Sequence, residues 1–250
     1  MADPRLEYVL RLGDSPLILS QQLGAWCGHA PVLEEDIAIA NTALDLIGQT
    51  TLWLDLAGKI EGEGRSADDL AYLRDASDFK NVLLVEQPNG DFGHTLMRQF
   101  LFDAWHLPLL KALVRSSDDQ ISAVAQKGVK EVAYHLERSK DLVERLADGT
   151  EESHERMQSA LDRLWPFTGE LVEADDVDLS AEDAGYGAPF DEVASEAMQN
   201  WRSAISAGGL LVDEEAHSRR GGKSGLHSEH LGYILAEMQI LHRSHPGAKW

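Results

Sequence analysis

The segment Phe102-Asp103-Ala104-Trp105-His106 sets a carboxylate and an imidazole three residues apart on the apolar side of a helix-patterned stretch. In a four-helix bundle, a carboxylate with a His at i+3 is one part of the inward ligand set for a di-iron or di-manganese centre. A second such pair and a lone carboxylate from each of two further helices complete the set. Such ligands converge from separate helices, so their partners must lie on other apolar stripes.

Two other stretches carry candidates. Asn41, Asp45 and Gln49 fall at i, i+4 and i+8 between the apolar residues Ile37, Leu44 and Leu52, which places a polar strip near the buried side of a helix. Glu131 and His135 lie at the centre of a stripe formed by Ile121, Val124, Gly128 and Leu142. Asp45, the Asp103 to His106 pair and Glu131 would make three quarters of a dimetal site. The fourth quarter fails. The position expected to hold the second carboxylate-x-x-His reads Asp162-Arg163-Leu164-Trp165, and an indole is a donor only, unable to ligate iron. Glu131 and His135 are four residues apart and do not restore the motif, and Asp45 and Asp103 are one methylene shorter than Glu. The sequence therefore predicts no metal, no cofactor and no catalytic residue in this chain. Asp45, Asp103, His106, Glu131, His135, Asp162 and Trp165 are then vestigial positions. A buried hydrogen-bonded network takes their place, with Lys130, Arg98 and Arg138 as candidate counter-ions, because burying such charges without partners costs several kcal/mol each.

Other motifs carry less. His227 and His230 are spaced i, i+3, but Ser228 with an acid after it is ordinary helix-start chemistry. Gly221-Gly222-Lys223-Ser224-Gly225 lacks the spacing and the preceding strand of a phosphate loop. No Ser-His-Asp set stands out, and Cys27 is too near His29 in sequence to face it.

Composition excludes several roles. The 250 residues have a net charge of −21, which repels nucleic acid and anionic membranes. A single cysteine excludes an internal disulfide, no apolar run is long enough to span a bilayer, and the N-terminus has no signal-peptide pattern. A cytoplasmic protein is expected.

Periodicity reads as helix almost throughout, giving one all-α domain. The expected core helices cover about residues 34–59, 91–115, 119–146 and 151–171, with flanking helices at about 16–26, 191–207 and 228–244. Ser15-Pro16 is the expected start of the first, Asp118 caps the third core helix and Thr150 the fourth. Pro108 predicts a kink, and Pro166 a kink or an early end of the last core helix. Ala67 to Arg74 reads as a short helix, Val82 to Asp91 as helix or extended chain leading to a turn, and Glu173 to Ala188 as an exposed acidic link.

Several ordered segments carry a resemblance. They are Gly24-Ala25-Trp26-Cys27-Gly28-His29-Ala30-Pro31, the run from Ala40 to Gln49, Leu83 to Phe92, the Asp103 to His106 motif, and Gly221 to Gln239. Together the chain resembles, nearly end to end, the C-subunit family of bacterial phenylacetyl-CoA epoxidases. The resemblance implies a ferritin-like four-helix bundle with additional N- and C-terminal helices. It implies a structural, non-catalytic role beside a homologous catalytic A subunit that carries the di-iron centre and binds the CoA thioester. The complex would insert one oxygen atom of O₂ into the ring of phenylacetyl-CoA, with NADPH electrons arriving through a reductase subunit. A homodimer of the chain alone is also compatible with the sequence. Two rival readings are a self-sufficient di-iron oxygenase or oxidase using Asp45, Asp103, His106, Glu131 and His135, and a helical interaction protein without oxygen chemistry.

Overall fold

A computed structural model describes residues 3–213 and 216–248. Among them the regular structure is helical without a strand, an all-α architecture of the ferritin-like class. The chain forms two compact units, Met1–Glu86 with Gly221–Trp250, and Gln87–Arg220.

In the first unit α1 (Pro4–Ala25) packs along α2 (Leu33–Glu61). Helix α1 begins earlier than the expected residue 16. Asp3 accepts from the Arg5 amide at 2.9 Å and Pro4 occupies the first turn, where its missing N–H is harmless. Pro16 lies inside the helix. Ser15, expected to cap it, has its hydroxyl turned to the Val82 amide at 3.2 Å, a tertiary bond in place of a cap. The buried pair of Asp14 with Arg74 holds the chain that follows α3 (Ala67–Tyr72) against α1. Residues Leu83–Glu86, the ambiguous run of the sequence, form a buried 3-10 turn. The last helix, α10 (Glu229–Ser244), closes this unit, and Gln239 donates to the Ala71 and Arg74 carbonyls at 3.1 and 3.0 Å.

The second unit is built on α4 (Phe92–Leu113), nearly all of which is buried against α5 (Asp119–Ala147), α6 (Glu151–Leu164) and α9 (Phe190–Ala207). The caps at Asp118 and Thr150 form as expected, accepting from Gln120 at 2.9 Å and from Ser153 at 3.1 Å. Helix α6 stops short of residue 171: Pro166 turns Trp165–Phe167 into a 3-10 turn, followed by the short helix α7 (Gly169–Val172). The acidic stretch expected to be an exposed link contains α8 (Asp176–Asp183), capped by Asp175, with Asp178 and Ala181 buried. Proline has no N–H, so Pro108 leaves the carbonyl four residues earlier, on Ala104, without its helical donor. The Asn200 amide supplies one at 3.2 Å, and Trp201 Nε1 donates to the Leu101 carbonyl at 3.0 Å, so α9 docks where α4 is interrupted.

Candidate functional site

The site grows from the contact of α4 with α5. Asp103 is fully buried, and both its oxygens are engaged: Gln99 Nε2 donates to Oδ1 at 2.6 Å and Ser139 Oγ to Oδ2 at 2.9 Å. Burial pushes its carboxyl up to about 6, against the pull of nearby His135 and of its two donors. His106, on the next turn of α4, lies against Phe102 with ring centres 4.9 Å apart. Burial, reinforced by His135, drives it down to about 3, so its imidazole is neutral. Its Nδ1 is buried without a hydrogen-bond partner among the described residues. Asp103, His106 and His135 are thus one buried, electrostatically coupled cluster.

Gln99 and Ser139 are the members that sequence reasoning missed. The buried face of α5 runs through Ile121, Ala125, Gly128, Val132, His135, Ser139 and Val143, which keeps Ile121, Gly128 and His135 of the expected stripe but has Ala125, Val132 and Val143 where Val124, Glu131 and Leu142 were expected. Glu131 is accordingly only half-buried. The available signal was spacing: Gln99 precedes Asp103 by four residues and Ser139 follows His135 by four, one helical turn in each case.

The expected counter-ions differ. Arg98 is fully buried, but its guanidinium donates to the Gln87 carbonyl and to Asn89 Oδ1, tying down the loop before α4 instead of facing Asp103. Burial lowers it to about 9, still protonated at neutral pH. Lys130 is exposed, and Arg138 acts on Asp103 only as the weakest of its electrostatic influences.

The remaining candidate positions have other surroundings. Asp162 is exposed and accepts from Gln158 Nε2 at 2.7 Å. Trp165 is half-buried and meets Trp201 edge-on at 5.7 Å. The two indoles line a surface groove of about 670 Å³ with Thr168, Arg202, Ile205 and Leu210. Asp45 lies in the first unit, half-buried on α2, with Asn41 exposed and Gln49 buried. Among the described residues no three His, Cys, Asp or Glu side chains converge closely enough to hold a metal ion. A dimetal set needs lone carboxylates and two carboxylate-x-x-His pairs, and the second unit's one buried carboxylate in the cluster already has protein donors on both oxygens. The residues present do not fit that group.

The glycine-rich loop has a packing role. A Cβ on Gly222 would run into the Asn81 carbonyl oxygen, and Gly225 has φ +85°. Only glycine lets this turn lie directly on the backbone of residues 81–83. Ser228 does not cap α10 with its side chain; its amide and hydroxyl both donate to Glu86 Oε2, at 2.9 and 2.6 Å. Nor is any helix among the described residues long and apolar enough to cross a membrane.

An all-helical ferritin-like chain with a polar cluster buried between two of its helices is the class that this fold and site define. The chain belongs to the phenylacetic acid catabolic protein family, whose model matches residues 1–250. It is 47% identical over 243 residues to the C subunit of the 1,2-phenylacetyl-CoA epoxidase of Escherichia coli (strain K12), across 97% of this chain and 98% of that protein.

Proposed function

We propose that this chain is a structural, non-catalytic subunit of a ring-oxygenating phenylacetyl-CoA epoxidase, paired with a homologous catalytic subunit that carries the di-iron centre. The observation that carries the reading is the saturation of Asp103. In a working dimetal bundle an inward carboxylate keeps its oxygens for metal. Here Gln99 donates to one oxygen and Ser139, from α5, to the other. Trp165 adds to this, since its indole packs on Trp201 at the position where the sequence places the second His. The high identity to an epoxidase subunit, over nearly the whole of both chains, supplies the complex and its aryl-CoA substrate.

With no redox group of its own, the chain contributes rigidity and surface. The Ser139 to Asp103 hydrogen bond ties α5 to α4 without demanding a metal, and a stiff bundle is what a partner's helices need to pack against. The test is purification of the complex through this chain after growth with added iron, followed by mass and metal analysis. One iron pair per catalytic partner and none assignable to this chain is the expected result. A stoichiometric iron pair in the chain purified alone, with near-ultraviolet oxo-bridge absorption, would favour the self-sufficient oxygenase instead.

A further inference from the structure

Helix α2 is apolar on two sides. Ile39, Ala43, Leu46, Trp53, Leu54 and Ala57 are buried. On the other side Leu33 is 69% exposed, Ile37 51%, Leu44 65% and Ile47 40%. Periodicity places Ile37 and Leu44 beside the core, and their exposure is the largest departure from that expectation. A helix that is hydrophobic all round is normally covered all round, and contiguous exposed apolar stripes mark interaction surfaces.

The spacing defines the kind of surface. Leu33, Ile37, half-buried Ala40, Leu44, Ile47 and Thr51 follow one another at alternating steps of four and three residues, which is the seam of a helix that packs against another helix. From Leu33 to Thr51 the seam is about 27 Å long at ~1.5 Å per residue. Its charge defines the partner. Between Leu33 and Gly58, α2 carries Glu34, Glu35, Asp36, Asp45 and Asp55 and no Lys or Arg. A second copy of this chain would bring the same acids and another −21 of net charge against it, so self-pairing is opposed.

We propose that the Leu33 to Thr51 seam docks a helix of the catalytic partner subunit, one with apolar residues at the same spacing and Lys or Arg on the flanking positions. This rests on the subunit reading above and adds the face by which the subunit binds. Leucine and isoleucine anchors exclude water along the seam while the acids set orientation and speed of encounter.

The experiment co-expresses the chain with the homologous catalytic subunit and measures complex formation by light scattering and by titration of the two purified chains. Ile37→Asp and Leu44→Asp are the seam variants, and Tyr233→Asp on α10, a residue 71% exposed, is the control. Because the substituted side chains are exposed, thermal melts of the free variants should match the unaltered chain. The expected result is a loss of affinity of roughly 30-fold or more for each seam variant, the scale of an anchor residue, with none for the control. Glu34→Lys with Asp55→Lys should weaken binding and flatten its salt dependence. Full-strength binding by Ile37→Asp and Leu44→Asp would overturn the seam and leave the subunit reading standing. No complex between the unaltered chains would overturn both. A dimer of this chain alone that Leu44→Asp dissolves would put a second copy on the seam and overturn the basic partner.

Discussion

His227 bridges two acceptors: its Nδ1 lies 2.5 Å from Glu86 Oε1 and its Nε2 lies 2.9 Å from the Phe79 carbonyl oxygen. A carbonyl only accepts, so Nε2 carries a hydrogen, and the contact with Glu86 then needs a proton of its own. Glu86 is fully buried, with further donors from Asn81 Nδ2 at 2.9 Å and from the Ser228 amide and hydroxyl. One residue of the C-terminal segment thus links the buried carboxyl group of the 3-10 turn Leu83–Glu86 to the backbone at Phe79.

From this follows a prediction for the closure of the first unit. His227→Ala should remove one of the hydrogen-bond partners of the buried Glu86 and leave the Phe79 carbonyl without its donor, at a cost of about 1–3 kcal/mol. Urea unfolding would measure the loss, and hydrogen exchange should show α10 opening at lower free energy than α1. The double variant His227→Leu with Glu86→Leu should recover most of the stability. Unchanged exchange in α10 of His227→Ala would show that apolar packing alone holds the segment.

The Asp103 and His106 cluster predicts two opposed pH effects. Asp103 has its folded carboxyl raised from 3.8 to about 6, so between those values the folded chain keeps a proton that the unfolded chain has released, and stability falls as pH rises. His106 is lowered from 6.5 to about 3, so in that window the unfolded chain binds a proton that the folded chain refuses, and stability falls as pH drops. The two slopes cancel between about pH 4 and 6. Asp103→Asn should unmask the His106 slope, gaining about 3 kcal/mol on the unaltered chain as pH goes from 4 to 7, at about 1.4 kcal/mol per pKa unit. His106→Gln should show the reverse trend, gaining on the unaltered chain as pH falls from 6.5 to 3. Chemical denaturation across this range checks both, and parallel pH profiles for all three proteins would contradict the burial of the cluster.

Glycines separate into two kinds that give opposite signs on substitution. Gly222 lies directly against Asn81 and Leu83, where a methyl group has no room, so Gly222→Ala should destabilise by about 1–3 kcal/mol, as overpacking does. Gly232, inside α10 with open space around its Cβ position, should gain roughly 0.5–1 kcal/mol on replacement by Ala. Thermal melts of the two variants decide this. A neutral Gly222→Ala would mean that the loop can lift off residues 81–83 without loss.

What was legible in the sequence was local. Asp118 and Thr150 cap helices because their side chains reach amides two or three residues ahead, a relation that no distant contact alters. Ser15 looked the same with Pro16 after it, yet its hydroxyl is taken by Val82, which no local rule reveals. The cluster was half legible. Asp103, His106 and His135 were found from the stripes, but the side of that stripe which is buried carries Val132 and Ser139 and not Glu131, and Ser139 is the residue of α5 that reaches Asp103. On α2 the strip beside Ile37 and Leu44 read as the buried side, whereas the covered face is that of Ile39, Ala43, Leu46 and Trp53.

Trp165 permits the sharpest test of the vestigial reading. Replacing the indole with imidazole rebuilds carboxylate-x-x-His in the sequence, and if sequence were enough, Trp165→His would restore a ligand pair. Geometry opposes it. Asp162 is exposed and bonded to Gln158, Trp165 is edge-on to Trp201 beside the groove, and Asp103 has both oxygens occupied. Trp165→His should therefore bind no stoichiometric iron. It should lose about 1 kcal/mol from the aromatic pair, with a further loss from reduced packing. Metal analysis after reconstitution with ferrous iron, together with the near-ultraviolet spectrum, gives the readout. An iron pair appearing in Trp165→His would show that one side chain separates this fold from a working dimetal centre and that Asp162 can swing inward to meet it.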